Sequence, residues 1–156
     1  MFLRSCAASL HGFTDSGSKR THLSTSAVFQ SPYANPILLV DPDVELGRGL
    51  LHQLARHGFC ADLAITVDTA RTCLWHRDYH AMVVIADPSD SRVLFGLRQL
   101  REAAPRTWMV VLTNKTAEPA SQVAPDLGCD AYLLQPFRFS DLLFRLESLA
   151  HQVRTA

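Results

Sequence analysis

The side chains best suited to chemistry in this sequence sit just beyond four apolar runs. Asp41 and Asp43 follow Ile37-Leu-Leu-Val40, and Asp87 and Asp90 follow Met82–Ala86. Thr113 and Asn114 follow Trp108–Leu112, and Gln135-Pro136 follows Tyr132–Leu134. Carboxylates, a hydroxyl and an amide gathered in one place can hold a divalent cation, cradle a phosphoryl group or hydrogen-bond a small ligand. Each residue also has a plainer use. Asp41, Asp43 and Asp87 are of the type that caps helices and closes turns, Thr113 suits a strand, and Tyr132 suits a half-buried packing position. Other chemistries lack their signatures. No glycine-rich loop follows the first run, so no dinucleotide or P-loop site is expected, and no G-x-S-x-G elbow marks a serine hydrolase. Cys6, Cys60, Cys73 and Cys129 share no metal-ligand spacing and no C-x-x-C, so they read as reduced thiols of a cytoplasmic protein. His52 and His57 are five apart and His76 and His80 straddle a helix end, so neither pair builds a zinc helix.

These residues meet only if the chain between them brings the ends of the runs together, and from Ile37 onward its pattern does so. Ile37–Val40 is a continuous apolar run, the mark of a strand buried on both faces. Asp43 is placed to cap a helix over Val44–His57, with Leu46, Leu50, Leu51 and Leu54 at helical spacing and Gly58 as its stop. Further strands are expected at Phe59–Ile65, Met82–Ala86, Trp108–Leu112 and Tyr132–Leu134. Helices are expected at Thr69–Arg77, at Arg92–Ala103, weakly at Ala120–Leu127, and after a Ser140 cap with Leu142, Leu143, Leu146 and Leu149 turned inward. Five strand-then-helix units predict an α/β fold, a doubly wound parallel sheet with helices on both faces. In such sheets ligands bind at the carboxyl ends of the strands, where the residues singled out above lie.

Composition narrows the setting. The 156 residues amount to one domain with an extension, and 47% hydrophobic residues suffice for a core. Fifteen Lys+Arg balance fifteen Asp+Glu, which argues against a dedicated nucleic-acid binder, and no apolar run approaches the roughly 18–20 residues of a spanning helix. Residues 1–36 carry ten Ser/Thr and one acid and keep neither period, so they read as a flexible N-terminal extension to a domain at 37–153. Only six residues follow Ala150, so no DNA-binding or other output domain is expected.

The segments ILLVDPD, HGF, RDYHAMVVI, VVLTN and LGCDAYLLQPF, in this order and spacing, resemble the receiver domain of response regulators, the CheY-like module of two-component signalling. The resemblance runs from Ile37 to about Ala150 and implies a flavodoxin-like five-stranded sheet of order 2-1-3-4-5. It also implies a chemistry of five parts: two acids after the first strand and an acceptor aspartate after the third that hold Mg²⁺, a Thr/Ser after the fourth, and a Lys before a proline after the fifth. Charge neutralisation by metal and lysine is what phosphoryl transfer needs. Here Asp41 matches the first acid, but Pro42 stands at the second and Ile85 at the acceptor. Thr113 matches the switch hydroxyl, Tyr132 the switch aromatic, and Gln135 replaces the lysine, with a cis peptide implied before Pro136. The pocket is therefore read as a degenerate phosphoacceptor pocket with no metal and no cofactor.

The implied function is a stand-alone, atypical (pseudo-receiver) bacterial signalling module, not an enzyme, that acts by protein contact without phosphorylation. Its partner would be another signalling or regulatory protein, with no direct nucleic acid or membrane contact, and the chain a monomer or weak homodimer. The family's docking face would include Phe137, Phe139, Leu142 and Arg145. Pro125 would cost about 3 kcal/mol inside a helix, so the fourth helix should be short or broken and a family-type dimer through it is disfavoured. Two alternatives use the same cleft: phosphorylation on Asp87, two residues past Ile85, with Mg²⁺ held by Asp41 and Asp87, or binding of a small ligand or cation. The Arg98–Arg101 pair reads as a solvated helix face.

Overall fold

The apolar runs at Ile37–Val40, Ala81–Ile85 and Trp108–Thr113 become strands because each is buried on both sides. In the computed structural model, which describes residues 3–4, 36–87, 89–113 and 128–152, a short strand β1 (Leu3–Arg4) precedes β2 (Ile37–Val40), β3 (Ala61–Ala64), β4 (Ala81–Ile85), β5 (Trp108–Thr113) and β6 (Ala131–Leu134). The helices are α1 (Val44–Arg56), α2 (Val67–His76), α3 (Ser91–Ala103) and α4 (Phe139–Ala150). The sheet runs β1-β3-β2-β4-β5-β6. Strands β2 to β6 are parallel; counted alone, they give the order 2-1-3-4-5 of the expected flavodoxin-like fold.

Alternation along the strands divides the core in two. Ile37 and Leu39 face a layer with Leu51 and Leu54 of α1 and Leu142, Leu146 and Leu149 of α4. Leu38 and Val40 face the other layer, with Ala70 and Cys73 of α2 and Leu97 and Leu100 of α3. This period of two on a sheet covered on both faces is why the runs are apolar throughout rather than alternating. Helix boundaries follow local chemistry. Asp43 Oδ1 accepts from the N–H groups of Glu45 and Leu46 at 3.0 and 3.2 Å, capping α1 as expected. Gly58 ends that helix at φ +84°, a backbone region that L side chains rarely adopt. Gly47 lets α1 lie close on β3, since a Cβ there would meet Leu63 Cδ1 at 2.8 Å.

Several expectations need correction. Thr66, not a later residue, caps α2, accepting from Thr69 N–H at 3.1 Å. Ser140 lies inside α4 rather than capping it; the Asp141 carboxylate instead accepts from Arg138 N–H at 3.2 Å. Within the extension, Leu3 and Arg4 pair antiparallel with Leu63 and Asp62, giving hydrogen-bond partners to what would be the bare edge of β3. Cys60 is disulfide-bonded, so the reading of four reduced thiols fails there, whereas Cys73 and Cys129 are free. Arg101 is no solvated surface residue: its guanidinium bonds Asp130 Oδ2 at 2.9 Å and the Thr107 carbonyl at 2.8 Å, tying the end of α3 to the start of β6. The helix expected at 120–127 lies outside the described residues.

The sequence reading passed over Asp62, whose carboxylate is 1% exposed in the middle of β3. Its Oδ2 accepts from Arg77 Nη1 at 3.0 Å and from the Tyr79 hydroxyl at 2.8 Å, so the acid is buried with a cation and a donor that follow α2. An acid inside a run buried on both faces was the available signal, because such a group is found inside only when paired. Asp62→Ala takes the acceptor from the buried Tyr79 hydroxyl and from Arg77, which is 37% exposed and keeps access to water, so it should cost about 2 kcal/mol in urea unfolding. Tyr79→Phe should cost about 1 kcal/mol. A loss for Asp62→Ala no larger than that for Tyr79→Phe would show that the ion pair adds nothing. Alkylation in denaturant without reductant, read by peptide mass, should label Cys73 and Cys129 and spare Cys60; labelled Cys60 would restore the reduced reading.

Candidate functional site

The carboxyl ends of β2, β4, β5 and β6 share one edge of the sheet. The register that pairs Val40 with Val84, Ile85 with Leu112 and Thr113 with Leu134 places the residues that follow these strands side by side. Asp41 comes one residue past β2 and is 1% exposed, its N–H donating to the Ala64 carbonyl at 3.0 Å. Its Oδ1 accepts from Asp43 N–H at 2.8 Å, so Asp41 orients the residue that caps α1. Its Oδ2 is buried and has no hydrogen-bond partner. Burial pushes the Asp41 carboxyl above its ordinary value; the Asp43 N–H offsets part of this and the Asp43 charge adds to it.

Asp41, Ile85 and Gln135 come together around one cavity of about 280 Å³ beside α1. Its other walls are Leu50 and Phe137, with Glu45 and Gln53 among the polar residues of α1. Sequence reasoning missed this contribution of α1, although Glu45, Gly49 and Gln53 fall on one helix face at successive fourth positions. On the opposite face, Pro42 and Ile85 line a smaller apolar cavity of about 180 Å³ with Ile65, Val67, Val93 and Leu97. A wider hollow of about 730 Å³ between α2 and α3, lined by Asp68, Arg71, Trp75 and Glu102, takes no residue from the strand ends.

The remaining residues have local roles. Asp87 borders neither strand-end cavity; its Oδ1 accepts from the N–H and the hydroxyl of Ser89 at 2.9 and 2.7 Å, a turn that leads into the Asp90 cap of α3. Thr113 is buried at the end of β5, and its carbonyl accepts from Gln135 N–H at 2.7 Å. The Tyr132 hydroxyl is buried near the Cys129 thiol, whose own S–H points to Met109 Sδ at 3.5 Å; burial raises the pKa of both groups. The Gln135–Pro136 peptide is cis, as the resemblance implied. Among the described residues, no three His, Cys, Asp or Glu side chains are grouped to hold a metal ion.

The expected docking face needs revision. Leu142 is fully buried and cannot touch a partner, because it shares the inward stripe of α4 with Leu146 and Leu149. Phe137 and Phe139 pack against the same core layer, with the Phe139 ring 5.2 Å from that of His57. Arg145 is exposed, as are its neighbour in α4, Phe144, at 67% and the last residue of β6, Leu134, at 50%.

Fold and cleft define a doubly wound α/β domain with its site at the carboxyl ends of the strands. No family model matches the chain. It is 30% identical over 115 residues to the transcriptional regulatory protein QseB of Escherichia coli O157:H7, covering 72% of this chain and 52% of that protein. It is 28% identical over 119 residues to the probable transcriptional regulatory protein SilR of Salmonella typhimurium, covering 76% and 52%. The chain thus spans about half the length of these curated relatives. Among solved structures, a two-component response regulator from Clostridium difficile superposes with a TM-score of 0.68 at 20% identity, covering 76% of this chain and 97% of that one. The receiver domain of the Francisella response regulator 1452 gives 0.65 at 20% identity, covering 74% and 96%. The described domain thus has the CheY-like (receiver-type) fold, and its sequence is similar to about half the length of these regulators.

Because the folded-state pKa of Asp41 is raised, this carboxyl holds its proton more tightly folded than unfolded. Its stabilising contribution is complete below the ordinary value of 3.8 and is lost as pH rises through the folded value. Asp41→Asn keeps an acceptor for Asp43 N–H and removes that loss. Urea midpoints measured from acid to neutral pH should show the variant gaining on the native chain as pH rises. A constant difference across the range would contradict the assignment.

Proposed function

We propose that this chain is a pseudo-receiver: a two-component signalling module that works by protein contact, independently of phosphorylation, and is not an enzyme. One observation carries the reading. The cavity where Asp41 and Gln135 meet has Ile85 for its wall, and an alkyl side chain cannot accept a phosphoryl group. Gln135 brings no positive charge to offset one, and Pro42 supplies no carboxylate for a metal. The partner is another signalling or regulatory protein rather than nucleic acid or membrane, met through the exposed Phe144, Arg145 and Leu134 surface of α4 and β6, by a chain that is a monomer or a weak dimer. A cytoplasmic setting belongs to this reading. Against it stands the Cys60 disulfide, since such bonds persist mainly in oxidising compartments.

The alternative acceptor is Asp87. Its Oδ1 is engaged by Ser89, and its side chain borders neither cavity at the strand ends. Intact mass after incubation with acetyl phosphate and Mg²⁺ decides between the two. The pseudo-receiver gives an unmodified mass in both the native chain and Asp87→Asn. An adduct present in the native chain and lost in the variant would make Asp87 a working acceptor.

A further inference from the structure

The least satisfied group at the strand ends is Asp41. Its side chain is 99% buried by exposure of 1%, one oxygen is committed to Asp43 N–H, and the other has no hydrogen-bond partner. A buried carboxylate with a free acceptor is costly, and the cost falls when a charged donor reaches it. The cavity that Asp41 lines contains a second carboxylate, Glu45, and two side-chain amides, Gln53 and Gln135. None of the described residues that line it is cationic. Arg48 pairs with Glu45 at 3.7 Å on exposed helix surface and is not among the described residues that line the cavity. The rest of the wall is apolar: Leu50, Ile85 and Phe137 with their neighbours.

We propose that this cavity binds a small primary alkylamine as its ammonium ion. The geometry selects among cations. A guanidinium is held best by two parallel hydrogen bonds to both oxygens of a carboxylate, and Asp41 has only one to give. A divalent metal needs several oxygen ligands, and the described residues gather no such set. An ammonium group is a compact charge with three donors: one suits Asp41 Oδ2, and the amide oxygens of Gln53 and Gln135 are available acceptors in the same wall. The alkyl stem then lies against Leu50, Ile85 and Phe137, whose ring face attracts a cation further. The volume of about 280 Å³ is near the lower bound of ligand pockets, which limits the guest to a short chain. This site is independent of whether the domain is phosphorylated, so it stands or falls separately from the pseudo-receiver reading.

The test uses the full chain with n-butylamine at neutral pH, followed by thermal melting and by NMR shifts of the Gln53 and Gln135 side-chain amides. The expected result is a saturable rise in melting temperature with both amides perturbed, and binding about tenfold or more weaker in Asp41→Asn. That variant keeps the Asp43 hydrogen bond and is expected to be at least as stable as the native chain, so loss of binding cannot be put down to unfolding. 1-Butanol and MgCl₂ serve as comparisons. Saturable binding of 1-butanol as tight as that of the amine would show an apolar hole without charge recognition and overturn the proposal. So would Mg²⁺ perturbing the same amides and displacing the amine, undiminished binding by Asp41→Asn, or no saturable effect of the amine.

Discussion

Everything in this domain depends on a parallel sheet being covered on both faces. Parallel strands need long crossovers, the crossovers are helices, and the helices must lie on the two faces to bury the strands they connect. Two separate core layers result, one beneath α1 and α4 and the other beneath α2 and α3. The same constraint sends β2 to β6 in one direction, so the ends of β2, β4, β5 and β6 collect on a single edge. The cleft is a consequence of the connectivity before any of its residues is chosen.

What fills the cleft is a mixture of polar and apolar side chains. Asp41 still serves the fold, because it holds the N–H of the residue that caps α1. Its second oxygen is buried without a hydrogen-bond partner, and Ile85 and Gln135 share the wall of the same cavity. Pro42 and Ile85 also line a largely apolar cavity on the other face, with Thr66 among its walls. A buried carboxylate among alkyl side chains is a poor arrangement for stability and a useful one for recognising a cation. Away from the cleft, Asp62 Oδ2 with Arg77 and Tyr79, and Arg101 with Asp130, show buried charge met by an opposite charge, although Asp62 Oδ1 is also buried without a hydrogen-bond partner.

The edges of the sheet follow a different logic. Strand β3 would be an open edge, and Leu3 and Arg4 pair with it two residues away from Cys60 and its disulfide. At the other edge β6 is half-buried, and its last residue, Leu134, is exposed, as is Phe144 of α4. One edge is thus occupied by the chain itself, while the other presents apolar side chains to solvent.

Periodicity alone determined the architecture: the unbroken apolar runs of β2, β4 and β5, the Asp43 and Gly58 punctuation of α1, and the inward stripe of α4 are all local patterns with one physical meaning. The residues at the strand ends were legible for the same reason, since position after a run is a local fact. What a linear pattern does not carry is which side chains from different elements share a space. Glu45 and Gln53 belong to the cleft because α1 crosses over β2, Asp87 does not because its turn draws it aside to Ser89, and Leu142 is core because α4 is rotated onto β5 and β6. The pairing of Leu3 with Leu63 and the burial of Asp62 beside Tyr79 are likewise contacts between residues distant in sequence. The order of elements was written in the period of the sequence. The composition of the site was decided only by packing, because burial and unmet hydrogen bonds are properties of neighbours in space.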